Sequence, residues 1–158
     1  MVLNKQWQAD LRKLHRNILF WKNHILLNEY AKHNLTRSVL YSAVIIRKLI
    51  DNNNEINLKV PSSLNCTRYP YVGDFELMVP GQIWCEDYDK GENAILEVKY
   101  VCNQIIHSYL WDIAHLYTSK KFYGFFVASD FDREKFINLI SFDEWASMLK
   151  SIVNSDII

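Results

Sequence analysis

Lys99, Asn103, His107 and Trp111 recur every fourth residue and form the one constellation in this sequence whose side chains could act together. On a helix that spacing stacks them along one face. An ammonium, a carboxamide and an imidazole then stand in a row, with Tyr109 two residues past the histidine. An unperturbed imidazole titrates at about pH 6.5 and is the natural general acid/base at neutral pH. The amide one turn away could orient a phosphate or hold the ring. The plainer alternative is that Asn103 and His107 are hydrogen-bonded polar groups linking helices, the usual fate of buried polar side chains.

Other routes to chemistry are missing. There is no Gly-rich phosphate loop, no G-x-S-x-G elbow and no H-E-x-x-H. His15, His24 and His33 are nine residues apart, and His107 and His115 are eight apart, so no pair is spaced to chelate an ion. Neither a metal nor another cofactor is expected. Asp130, Asp132 and Glu134 read as the solvated tip of a hairpin, because the glycine and terminal glutamate spacing of a calcium loop is absent. Arg68, Tyr69 and Tyr71 mix a cation with aromatics and could stack a base, although a loop covering the core explains them as well. Cys66, Cys85 and Cys102 are odd in number and include no C-x-x-C, which suits reduced, non-ligating thiols.

The elements that must position these residues read mainly as helix. Leu3, Trp7, Leu11, Leu14, Ile18, Trp21 and Ile25 form an unbroken helical stripe. A break is expected near His33-Asn34, with Asn34 or Thr36 capping a second helix through Val39, Ala43, Ile46 and Ile50. Arg47 and Lys48 fall near its end, where cations suit the helix dipole. Residues 55–91 contain all three prolines and three of the four glycines, and read as an irregular excursion with a short strand at 56–60. A third helix is expected from about Glu92 to about Tyr117 on the stripe Val98, Cys102, Ile105, Tyr109, Ile113 and Leu116. Phe122–Ser129 and Phe136–Ile140 then read as a β-hairpin. Ser141 and Glu144 have capping-box spacing at the head of a last helix. The expected fold is mainly α (α+β): one domain over 1–158, a helical bundle with a hairpin–helix appendage at 122–153.

Composition bounds the rest. Of 158 residues, 49% are hydrophobic and 23% charged, which excludes a disordered chain. Eighteen basic residues balance eighteen acidic ones, so no global field draws nucleic acid or membrane, and any such binding must be local. There is no run of 18 apolar residues and no apolar core in Met1–Asp10, so a cytoplasmic location away from membranes is expected.

The string Cys102-Asn103-Gln104-Ile105-Ile106-His107-Ser108-Tyr109 resembles the signature of the HEPN superfamily, in which an arginine and, often, an asparagine precede a histidine, with an aromatic two places later. The resemblance implies a helical bundle with the motif on a late helix, and a homodimer that joins two motifs in one cleft. It also implies metal-independent RNA cleavage in phage-defence or toxin–antitoxin systems. Carried onto this chain, His107 is the acid/base and Asn103 positions the phosphate. Lys99 and Tyr109 contact substrate. Cys102 stands where the family has arginine, so Arg47 from the second helix is expected to supply the cation. Two other functions follow from the same residues. One is a non-catalytic module that binds RNA or a cognate protein. The other is a scaffold that docks through the aromatic hairpin at Phe122, Tyr123, Phe125 and Phe126.

Overall fold

A computed structural model describes residues 2–24, 28–52, 59–70, 91–116, 121–132 and 135–155. Helix α1 (Val2–Trp21) forms on the expected stripe and buries Leu11 and Ile18. Helix α2 (Glu29–Asp51) starts earlier than its sequence suggests. Asn28 is its N-cap, with a side chain that accepts from the Ala31 N–H, so His33 and Asn34 lie within the helix. Ser141 accepts from the Glu144 N–H at the head of the last helix, α4 (Phe142–Val153), which is one half of a capping box, while the Glu144 carboxylate accepts from the Asn65 N–H on β1. α1 packs against α2 and α4. Gln8 fastens the α1–α4 contact by donating to the carbonyls of Val153, the last residue of α4, and of Ser155 just beyond it.

The helical bundle is not what forms. The core is a five-stranded antiparallel sheet built from β1 (Ser63–Pro70), β2 (Glu92–Glu97), β3 (Ser108–His115), β4 (Phe122–Ser129) and β5 (Phe136–Ser141), in the order β2-β1-β5-β4-β3. The supposed third helix is three elements, β2, α3 (Val98–Ile106) and β3. Val98, Cys102 and Ile105 do form one buried helical face. Beyond them the apparent stripe is coincidence, because Tyr109 and Leu116 are each 45% exposed. Tyr109, Trp111 and Ile113 are aromatic or β-branched, types that suit a pleated surface, and β3 pairs along β4 instead.

The hairpin is likewise the middle of the sheet and no appendage. Phe125, Val127 and Ile140 face the helices, while Phe126, Ile137 and Leu139 fill a second cluster, so β4 and β5 are buried on both faces. β1 joins this hairpin to β2 from within the stretch expected to be irregular. The strand expected at 56–60 falls largely outside the described residues. Trp145 is fully buried under α2 and donates its indole N–H to Ser42, and Phe125 stacks on Trp111 at 4.7 Å between ring centroids. No described helix is long and apolar enough to cross a membrane.

One backbone position controls the central pairing. A Cβ on Gly124 would lie 2.1 Å from the carbonyl oxygen of Ile140, which is backbone and cannot swing aside. Gly124→Ala is expected to destabilise the fold by about 1–3 kcal/mol or more, the cost of overpacking a dense interior. Urea unfolding of the variant and the parent measures it.

Candidate functional site

α3 begins directly from β2 and ends at His107, so its outer face is carried across the end of the sheet next to the β4–β5 turn. Between them lies an open cleft of about 920 Å³. Asn103 and His107 line it from α3, Arg68 from β1, and Phe131 and Asp132 from the turn. Arg68 follows Leu64 and Cys66 at two-residue steps, so strand alternation directs it to the face that bears α3. His107 caps the C-terminus of α3 through its own backbone N–H, which donates to the carbonyl of Asn103 at 3.0 Å, and its imidazole is exposed to solvent.

The floor of the cleft is a network centred on Asp132. This carboxylate is only 6% exposed and accepts from the Tyr100 hydroxyl at 2.9 Å and from the Gln104 amide at 2.8 Å. Gln104 also donates to Ser129 Oγ, and its carbonyl accepts the Ser129 N–H at 2.8 Å, so one side chain fills two places in the turn. Lys135 reaches Asp132 Oδ1 at 3.7 Å. Burial, and then the hydrogen bond to Asp132, push the Tyr100 hydroxyl up to about 12, which keeps it a protonated donor.

Arg68 is fixed by neutral neighbours. Its Nε donates to Asn138 Oδ1 at 2.9 Å, its Nη2 lies 3.4 Å from Tyr100 Oη, and its guanidinium rests 3.7 Å from the centroid of Phe136. These contacts orient a planar cation, the arrangement that suits a phosphate or carboxylate. Among the described residues no carboxylate forms a salt bridge with it, although Glu92 stands opposite Arg68 on β2. Glu97 and Asp130 also line the cleft, so its overall charge is mixed.

Of the residues expected at the site, only Asn103 and His107 line this cleft. Arg47 does reach Asn103, donating from Nε to Oδ1 at 2.9 Å, but its charge pairs with Asp51 one turn along α2. The cation of the cleft is Arg68 instead. Lys99 is exposed at the start of α3 and Tyr109 lies on β3, and neither lines the cleft. Trp111, the supposed fourth member of the row, packs on Phe125 and donates to Thr36. Asp132 is a buried anchor, where its sequence suggested a solvated tip. Tyr100 and Gln104 escaped notice because they look like ordinary helix residues, and only their spacing by one turn hints at a shared partner.

Cys102 is fully buried and burial pushes its thiol up to about 12, while Cys66 is raised to about 11. Both act as small apolar groups. Among the described residues no group of three or more His, Cys, Asp or Glu is placed to hold a metal ion. Comparison of the chain with protein-family models, with curated proteins and with solved structures finds no match.

Two outcomes follow. Asp132→Ala leaves the Tyr100 hydroxyl and one N–H of the Gln104 amide without an acceptor, the other N–H keeping Ser129 Oγ, and is expected to cost about 1–3 kcal/mol overall. Asp132→Asn keeps an acceptor and is expected to lose less, as urea unfolding would show. Raised values on Tyr100, Cys66 and Cys102 mean that the folded chain holds protons that the unfolded chain releases from the ordinary values of 9.0 and 10.0 upward. Their contribution to stability is therefore intact below pH 9 and declines as pH rises toward about 12. Cys102→Ala is expected to flatten part of that decline in unfolding curves taken across this range.

Proposed function

We propose that this chain is a cytoplasmic, RNA-associated protein that takes a phosphodiester of RNA into the Arg68–His107 cleft. The observation that carries this reading is the oriented guanidinium of Arg68 in the same solvent-open cleft as an exposed imidazole and the Asn103 amide. A guanidinium recognises phosphate through parallel N–H donors, and the amide adds a neutral donor beside it. A setting in phage defence or a toxin–antitoxin pair rests on the Asn103-x-x-x-His107 resemblance alone. The reading does not depend on a helical bundle.

The geometry favours binding over turnover. No hydrogen bond or ion pair among the described residues fixes the His107 ring, and an efficient general base is usually oriented by a further group. Cleavage, where His107 carries it, transfers the ribose 2′-hydroxyl proton to the imidazole. The 2′-oxygen bonds to phosphorus, the P–O5′ bond breaks, the imidazolium returns its proton to the departing 5′-oxygen, and a 2′,3′-cyclic phosphate and a 5′-hydroxyl result. No metal or co-substrate enters that balance.

Fluorescence anisotropy with a short labelled single-stranded RNA tests the proposal. Arg68→Ala is expected to weaken binding about ten- to a hundredfold, since a hydrogen bond to a charged group contributes about 1.5–3 kcal/mol. It should also reduce the slope of log K against log salt by about 0.7, the share of one phosphate contact on a single strand. Arg37→Ala, on the far groove between α1 and α2, serves as the control. Wild-type protein that ignores RNA at low salt would overturn the reading. Gel analysis of the same mixtures separates the two forms of it: intact RNA marks a binding module, and cleavage lost in His107→Ala marks a ribonuclease.

A further inference from the structure

Phe131 sits in the β4–β5 turn, is 82% exposed and lines the cleft beside Arg68 and His107. A phenyl ring so far out of the core needs an explanation, because a large aromatic in solvent forfeits the burial that usually justifies it. The ring is also held. Lys135 Nζ lies 4.2 Å from its centroid, and the same ammonium is anchored 3.7 Å from Asp132 Oδ1. Asp132 is in turn buried and fixed by Tyr100 and Gln104. The exposed ring is thus braced by a cation tied to the floor of the cleft.

We infer that Phe131 is a stacking platform for one unpaired nucleobase, so that the cleft selects single-stranded over double-stranded RNA. The inference rests on the proposal that the cleft binds RNA, and deepens it by naming the strandedness of the ligand. Arg68 holds a phosphate and Phe131 holds a base of the same segment. A base inside a duplex has both faces covered by its neighbours and cannot lie on the ring, whereas an unpaired base can. Charge supports an RNA occupant over a purely apolar protein segment, because an oriented guanidinium shares the cleft with the ring.

The test compares one RNA sequence as a single strand and as a duplex, with wild-type protein, Phe131→Ala, Phe131→Trp and Arg68→Ala. Wild type is expected to prefer the single strand. Phe131→Ala should lose about tenfold or more on the single strand, as removal of one base-stacking aromatic does, and little on the duplex. Phe131→Trp should retain the preference, and Arg68→Ala should weaken both ligands together. Because the ring is exposed, Phe131→Ala is expected to keep the far-ultraviolet spectrum and unfolding midpoint of the parent. If wild type binds the single strand and Phe131→Ala binds it equally well, the stacking inference falls while the RNA reading stands. If wild type binds neither RNA, both fall. If wild type ignores RNA and Phe131→Ala abolishes self-association in sedimentation, the ring is a contact between copies, and the inference is overturned.

Discussion

The buried carboxylate of Asp132 is the interaction on which the cleft depends. Taking a carboxylate out of water costs several kcal/mol unless partners compensate it. Here the compensation comes from Tyr100 and Gln104, four residues apart on α3 and therefore on one face of it, and from Lys135 on the partner side of the turn. The bonds that neutralise the cost of burial also fix geometry. They pin α3 to the β4–β5 turn, which places His107 at the helix end over the sheet. Through Tyr100 they touch Arg68, and through Lys135 they brace Phe131. Five side chains that line the cleft, Tyr100, Gln104, His107, Arg68 and Phe131, thus owe their positions, directly or at one remove, to a single charge.

The sheet, in turn, explains why α3 is short. A helix continued past Ile106 would carry Ser108–His115 away from β4 and leave an edge of the sheet's most buried strand unpaired. Backbone groups of so buried a strand need partners, and β3 supplies them. The helix stops where the sheet needs a strand. Its C-terminal residue is thereby left at the mouth of the cleft, with its side chain in solvent.

What was legible in the sequence was local. The α1 stripe as far as Trp21, the hairpin strands and the Ser141 cap each depend on residues a few positions apart and form, whereas the break expected near His33-Asn34 comes earlier, ahead of the Asn28 cap. The misreadings share a different cause. The period through Val98, Cys102 and Ile105 happens to continue through Tyr109, Ile113 and Leu116, and only pairing with β4, a non-local event, decides against a helix there. Asp132 looked solvated because its neighbours in sequence are polar, yet its partners lie 28 and 32 residues away. Arg68 looked like part of an irregular cover because the strand that orients it is recognisable only once β2 and β5 flank it. The pairing of Asn103 with His107 was readable because one helical turn separates them. Whether Arg47 would approach this pair was not readable from local spacing, because its contact with Asn103 joins α2 to α3 across 56 residues, and its charge pairs with Asp51 on α2.

The mixed charge of the cleft narrows what it can hold. With Glu97 and Asp130 on its walls and a chain balanced at zero net charge, a long polyanion gains little from the general field. A run of phosphates laid through the cleft would meet carboxylates as often as it met Arg68. A ligand that presents a single phosphate to Arg68 and turns its next unit inward as a base escapes that repulsion. The exposed Glu97 carboxylate then becomes useful, because an ionised Glu can only accept hydrogen bonds and the edge of an unpaired base carries N–H donors. Anion at one end, ring in the middle and hydrogen-bond donors at the other is the order in which a nucleotide is built. A cleft lined by Arg68, Phe131 and acidic side chains together suits such a ligand better than it suits any uniformly charged or uniformly apolar partner.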